Sequence, residues 1–188
     1  TIENIASRIL VYSVQGVDLK PPSLSVDVPV LLGPFGDPVG RKMVLTMPRR
    51  HKANGIAIYK NKSWRWLGGV DDFEDPGDFL AVSLPYLAPV VLVRDVTAPT
   101  ARIVRGAGPY KVTAVKFSDN FSGIARESVT VESVTAESAD VIIQGRYDSD
   151  RKTYLPDADF KPGKYKLRVR AMDNAGNKLN TTLTFQQK

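Results

Sequence analysis

Two consecutive β-sandwich modules in an all-β chain are the fold class the sequence predicts, and three observations predict it. Short stretches of alternating apolar and polar residues recur along the chain, Asp/Asn-Gly clusters punctuate them, and helical periodicity is nowhere sustained. The most informative clusters are DNFSGI at 119–124 and DNAGN at 173–177, each following directly on a strand-like stretch. Gly and Asn tolerate positive φ, and Asp and Asn side chains bond to backbone two residues on, so the clusters supply turns.

The division between the modules is expected at DVTAPT, residues 95–100, where a β-branched stretch ends and Pro99 stops any ladder from continuing. This gives an N-terminal module over 1–96 and a C-terminal, immunoglobulin-like module over 97–188. In the first, strands are expected at 8–14, 24–30, 42–47, 55–59, 63–67, 79–84 and 90–93. Prolines 21, 22, 29, 34, 38, 48, 76, 85 and 89 exclude long helices and push several of these strands to sheet edges. In the second, strands are expected at 110–117, 127–134, 140–144, 152–155, 164–172 and 178–185.

The alternation is cleanest in KYKLRVRAM. Tyr165, Leu167, Val169 and Ala171 fall on one face, and Lys164, Lys166, Arg168 and Arg170 on the other. The DNAGN turn then leads into 178–185, where Leu179, Thr181, Leu183 and Phe185 share a face. A C-terminal hairpin results, with its apolar side available to a facing sheet.

Composition bounds the function class. The chain has 188 residues, is 43% hydrophobic and 24% charged, and carries a net charge of +6; these are the proportions of an ordinary folded domain. The basic excess belongs to the second half: residues 1–95 hold 11 Lys/Arg against 10 Asp/Glu, and residues 96–188 hold 15 against 10. Such an excess suits weak attraction to polyanions and falls short of a nucleic-acid arm. No apolar run reaches the roughly 20 residues that span a bilayer, and membrane insertion is not expected. The start lacks the charged and cleavable segments of a signal peptide, and a chain opening at Thr1 without Met reads as part of a longer protein. Cysteine is absent, which argues against a disulfide-stapled ectodomain and favours a bacterial origin. Three Asn-X-Ser/Thr triplets, at Asn61, Asn120 and Asn180, are of a kind that arises by chance in Ser/Thr-rich β proteins.

The residues also carry a resemblance. IAIYKNKSWRWLGG at 56–69, the stretch 79–84, and VLVRDVTAP at 91–99 resemble modules attached to secreted bacterial cell-wall proteins, in which a Trp hairpin and a Gly-Gly turn precede a strand ending in Arg-Asp-x-Thr-x-Pro. SDNFSGI at 118–124, PGKYKL at 162–167 and AMDNAGN at 171–177 resemble bacterial immunoglobulin-like or fibronectin type III-like repeats, and the matches together cover about two thirds of the chain. Such tandem modules follow a lysostaphin-type zinc metallopeptidase acting on peptidoglycan, or belong to large surface proteins. The resemblance therefore implies an exported protein of the periplasm or cell surface, with other domains of the parent protein as partners. That peptidase needs several His and an Asp, whereas this chain has only His51; its catalytic domain is expected outside the chain.

Chemistry on the chain itself is sparse. His51 lies in the basic segment RRHK, where a lone imidazole among cations cannot build a zinc site and a solvated loop is expected. There is no cysteine nucleophile and no Gly-x-Ser-x-Gly elbow, and Gly106-Ala107-Gly108-Pro109 precedes a strand rather than the helix a phosphate loop needs. No catalytic residue, metal or cofactor is expected. Asp71, Asp72, Glu74, Asp75 and Asp78 crowd one loop and could offer oxygens to Ca²⁺, but their spacing is not that of an EF-hand. Asp119 and Asp173 could converge at one pole of the second module, with turn-holding as their competing role.

Two binding surfaces are the candidates. Trp64 and Trp66, two apart on one strand face, could form a flat platform for a sugar ring, or pack into the core with Ile56, Ile58 and Leu67. Lys164, Lys166, Arg168 and Arg170 form a stripe about 20 Å long at roughly 3.3 Å per residue. It could follow an anionic polymer such as a teichoic acid, lipopolysaccharide phosphate or acidic glycan, or be a solvated face balanced by acids on a neighbouring strand. Without interleaved aromatic residues it is a poor nucleic-acid platform. The function these readings favour is a non-catalytic accessory or spacer segment with weak binding to a cell-wall or envelope polymer. Alternatives are a carbohydrate-binding module using the Trp pair, and an accessory region of a peptidoglycan metallopeptidase.

Overall fold

The computed structural model describes residues 10–13, 22–27, 29–33, 38–69, 77–107, 112–134 and 141–188. Their regular structure is almost entirely antiparallel β-sheet, in accord with the all-β class, and the one helical element among the described residues is a single 3-10 turn at Arg126–Ser128. The chain divides into two compact units, Thr1–Asp95 and Val96–Lys188.

The first unit contains β1 (Leu10–Ser13), β2 (Val30–Gly33), β3 (Pro38–Pro48), β4 (Gly55–Lys60), β5 (Ser63–Gly69), β6 (Phe79–Tyr86) and β7 (Val90–Val93). Five strands form one sheet in the order β1-β2-β7-β4-β5, and β3 pairs with β6 in a second. The proline-bearing strands 38–48 and 79–86 are the two that stand apart, as a missing ladder donor favours. Alternation decides which side chains they bury: Leu80, Val82 and Leu84 point inward, while Phe79, Ala81 and Ser83 are exposed. The inward set meets Ile56 and Ile58 of β4 and Val90 and Leu92 of β7 in one apolar cluster. β4 and β5 are joined by Asn61 and Lys62, at φ 51° and 62°, the paired positive values of a type I′ hairpin.

The second unit contains β8 (Thr100–Ala107), β9 (Val112–Ser118), β10 (Thr130–Ser133), β11 (Val141–Ile142), β12 (Gly145–Asp148), β13 (Thr153–Pro156), β14 (Gly163–Met172) and β15 (Lys178–Gln187). They build two four-stranded sheets, β11-β10-β14-β15 and β12-β13-β9-β8. Val131, Leu167, Val169 and Ala171 from the first sheet and Val115, Phe117, Tyr147 and Tyr154 from the second bury together. The long hairpin holds an unbroken ten-residue register in which Tyr165, Leu167, Val169 and Ala171 stand opposite Phe185, Leu183, Thr181 and Leu179.

Several expectations are revised. Thr100–Ala107 is a strand, where the sequence suggested only a hinge and a loop. Residues 127–128 belong to the 3-10 turn: the Ser128 hydroxyl bonds locally to the Ala125 carbonyl at 2.6 Å and reaches the backbone of Met172 on β14, at 2.7 Å to its amide and 3.0 Å to its carbonyl, so a side chain stands where a ladder contact would. Among the described residues of 24–29, pairing is reduced to a single bridge between Ser25 and Val93, and β2 begins only at Val30.

The shared cluster predicts a contrast between neighbouring positions of β14. Leu167 is fully buried, so Leu167→Ala should cost about 2–5 kcal/mol in urea unfolding, whereas Lys166→Ala, on the exposed face, should stay within about 0.5 kcal/mol.

Candidate functional site

The register of β14 and β15 fixes the face that carries the four cations. Lys164, Lys166, Arg168 and Arg170 stand opposite Gln186, Thr184, Thr182 and Asn180, and the next row pairs Met172 with Lys178. Lys164, Lys166 and Arg170 are exposed and Arg168 half-buried, while Lys178, Asn180, Thr182, Thr184 and Gln186 are all exposed. The result is a column of cations beside a column of neutral hydroxyl and amide groups. The sequence indicated the first; the second follows from alternation along 178–187.

On the other flank of β14, β10 brings one acid to this face. Glu132 stands opposite Arg168, and its carboxylate lies 3.0 Å from Arg170 Nη1 and 3.8 Å from Arg168 Nη1. The Glu132 side chain is only 13% exposed, against 35% and 45% for the two arginines. Pairs this open to water are worth about 0.2–1 kcal/mol. Among the described residues Lys164 and Lys166 make no ion pair, so the column divides into a free lysine end and an arginine end held by one carboxylate. Glu132 was foreseen only as an unspecified neighbouring acid, since no local signal says which strand lies beside β14.

The two Asp-Asn motifs form the turns at one pole of the second unit. Asp119 Oδ2 accepts the amides of Phe121 at 3.0 Å and Gly123 at 2.7 Å. Asp173 Oδ1 accepts those of Ala175 at 2.9 Å and Asn177 at 2.8 Å, and its Oδ2 accepts the Asn177 side-chain amide at 2.8 Å. Asn174 donates from its backbone to the Gly123 carbonyl and from its side chain to that of Ser122, tying the loops together. Gly123 and Gly176 sit at φ 80° and 90°, where a Cβ would be strained. Carboxylate oxygens of Asp119 and Asp173 lie within 4.8 Å of each other, and Asp119 Oδ1 is buried without a hydrogen bond. Burial pushes the Asp173 carboxyl above its ordinary range; the Asn177 and Ala175 hydrogen bonds pull it down and the Asp119 charge pushes it up again. Both oxygens of Asp173 are already engaged by turn donors, so the arrangement acts as a turn clasp.

Trp64 and Trp66 do share a face, and it is the one turned away from the Ile56 and Ile58 cluster. They stand opposite Tyr59 and Ala57, whereas Ile56, Ile58 and Leu67 join the core. The sheet leaves room for Trp66 by placing glycine beside it: a Cβ on Gly55 would fall 2.0 Å from Trp66 Cη2, and one on Gly69 2.7 Å from Cζ2. Trp64 packs against Tyr59 with centroids 5.2 Å apart. Both indoles are half-buried. The structure thus keeps the two sets of candidates on separate units. His51 is exposed, at φ 52° in a tight turn closed by Ala53 N donating to the Arg50 carbonyl. Of the acidic loop, residues 71–75 lie outside the described residues.

Gly55→Ala should displace the Trp66 indole, seen as a red-shifted tryptophan emission with lowered thermal stability; an unchanged spectrum would contradict the packing. The clasp makes a prediction about pH. Asp173 holds its proton more tightly when folded than unfolded, so its contribution is most favourable below the unfolded value of about 3.9 and is lost as pH rises through the raised folded value. Asp119→Asn retains an acceptor for the two amides and removes the neighbouring charge. The melting temperature of this variant relative to the unaltered chain should therefore increase as pH rises from about 3.9 towards neutrality.

No protein-family model matches the chain, and no curated protein matches it.

Proposed function

We propose that the chain is a non-catalytic pair of β-sandwich modules, the second immunoglobulin-like, acting as a spacer in an exported bacterial envelope protein and retained weakly on an anionic wall or envelope polymer. The observation that supports this most is the open basic face of the β14–β15 hairpin. Four cations stand in one column over about 20 Å, beside exposed polar side chains and against one carboxylate on the adjoining strand. A regular sheet holds charge in a line without a pocket, which suits a long repeating polymer better than a single small substrate. Its mechanism is spatial and electrostatic: folded modules set a distance, and the face supplies salt-sensitive retention. The sequence resemblance to modules that accompany cell-wall enzymes points to the same setting.

A second reading is favoured by the placement of Trp64 and Trp66 away from the core of their unit. It makes the first unit a sugar-binding module in which a pyranose ring stacks on an indole. The readings differ in salt dependence, since stacking is weakly screened.

Co-sedimentation with purified bacterial cell walls across a salt series separates them. Binding should fall with salt and be largely abolished in the Lys164→Ser, Lys166→Ser, Arg168→Ser, Arg170→Ser variant. Salt-resistant binding lost on Trp64→Ala and Trp66→Ala would transfer the function to the first unit, and no binding at low salt would contradict wall retention.

A further inference from the structure

The spacing and surroundings of the cation column narrow the class of polymer, resting on the reading of this face as an envelope-binding surface. Alternate residues of a strand are separated by six backbone bonds, or about 6.6 Å. A glycerol phosphate repeat also runs through six bonds from one phosphorus to the next, and so spans about 7 Å when extended, by the same reach per bond as a peptide chain. Successive cations and successive phosphodiesters therefore stay in step over the length of β14. Beside the column, Gln186, Thr184, Thr182 and Asn180 offer one neutral hydrogen-bonding group per repeat, suited to the hydroxyls and ester oxygens between phosphates. A nucleic-acid backbone has the same bond count but needs aromatic surfaces for its bases; the described β14 and β15 positions of this face carry none.

We infer that the outer face of the β14–β15 hairpin binds an extended polyol phosphodiester, with Lys164 and Lys166 as its primary contacts and Glu132 holding Arg168 and Arg170 back from it. Glu132 already occupies the position an anion would take against the arginines, bonded to Arg170 at 3.0 Å and paired with Arg168 at 3.8 Å. On its other flank stands Ile142, which is 58% exposed and offers no polar group. One of its oxygens, Oε2, is buried without a hydrogen bond, so the carboxylate is incompletely satisfied by the two cations. Its charge sets an upper limit on affinity, keeping retention weak and reversible.

The test uses the whole chain and synthetic poly(glycerol phosphate), with single-stranded DNA and polygalacturonate as comparators. Titration at low salt should show the polyol phosphodiester bound more tightly than either comparator. Lys164→Gln with Lys166→Gln should remove most of the affinity. Glu132→Gln, which removes the carboxylate charge beside both arginines, should raise it about three- to tenfold; if that variant melts early, Glu132→Ser is read in its place. Unchanged or weaker binding on loss of the Glu132 charge, wild-type binding in the lysine variant, or equal binding of polygalacturonate or DNA would each overturn the inference. Two further arms separate it from the envelope-retention reading. Undiminished binding to walls stripped of phosphodiester polymer would contradict the ligand class and leave retention standing. Polymer binding without wall binding would do the reverse.

Discussion

The Asp173 clasp is the constraint on which the second unit and its basic face both depend. By accepting two backbone amides and one side-chain amide from the next four residues, it fixes how many residues the turn contains and so the register of the strands on either side. Side chains in a strand alternate strictly, so a slip of one residue exchanges the two faces. In this hairpin the exchange would put Leu167, Val169 and Ala171 into water and press four cations into the core. Burying unpaired charge is far costlier than exposing aliphatic groups, which leaves one acceptable register. Core and basic face are two consequences of the same turn.

The electrostatics follow from that placement. Cations about 6.6 Å apart lie within the screening length of about 8 Å at physiological ionic strength, so they act on a ligand as a line of charge. Glu132 interrupts the line at one end, its carboxylate 3.0 Å from Arg170 and 3.8 Å from Arg168. At the other end Lys164 and Lys166 are exposed and make no ion pair among the described residues. On the proposed reading, a face built this way holds an extended polyanion weakly and with salt sensitivity.

How much was legible in the sequence depended on how local the signal was. The alternation in KYKLRVRAM and the Asp-Asn-Gly turn lie within 15 residues of each other, and both strand faces could be read from them directly. Thr100–Ala107 carries the sequence signals of a loop, Pro99 before it and Gly106 within it, and the structure keeps the strand by setting Gly106 at φ 67°. The four-residue Gly145–Asp148 carries one apolar side chain, Tyr147, too little for a period to register. The pairing of Glu132 with Arg168 and Arg170 joins residues 36 to 38 apart, and nothing local to either strand announces it. For the Trp pair, alternation established that both rings share a face, but which face meets the core depends on where Gly55 and Gly69 open space beside Trp66.

The central claim is that the β14–β15 face, and not the Trp-bearing hairpin, meets the ligand. Backbone amide mapping by NMR, titrating the chain with purified wall phosphodiester polymer, tests it most directly. The account predicts shifts confined to the vicinity of Lys164 to Arg170 and Asn180 to Gln186. Shifts concentrated around Tyr59, Trp64 and Trp66, or none on either hairpin, would contradict it.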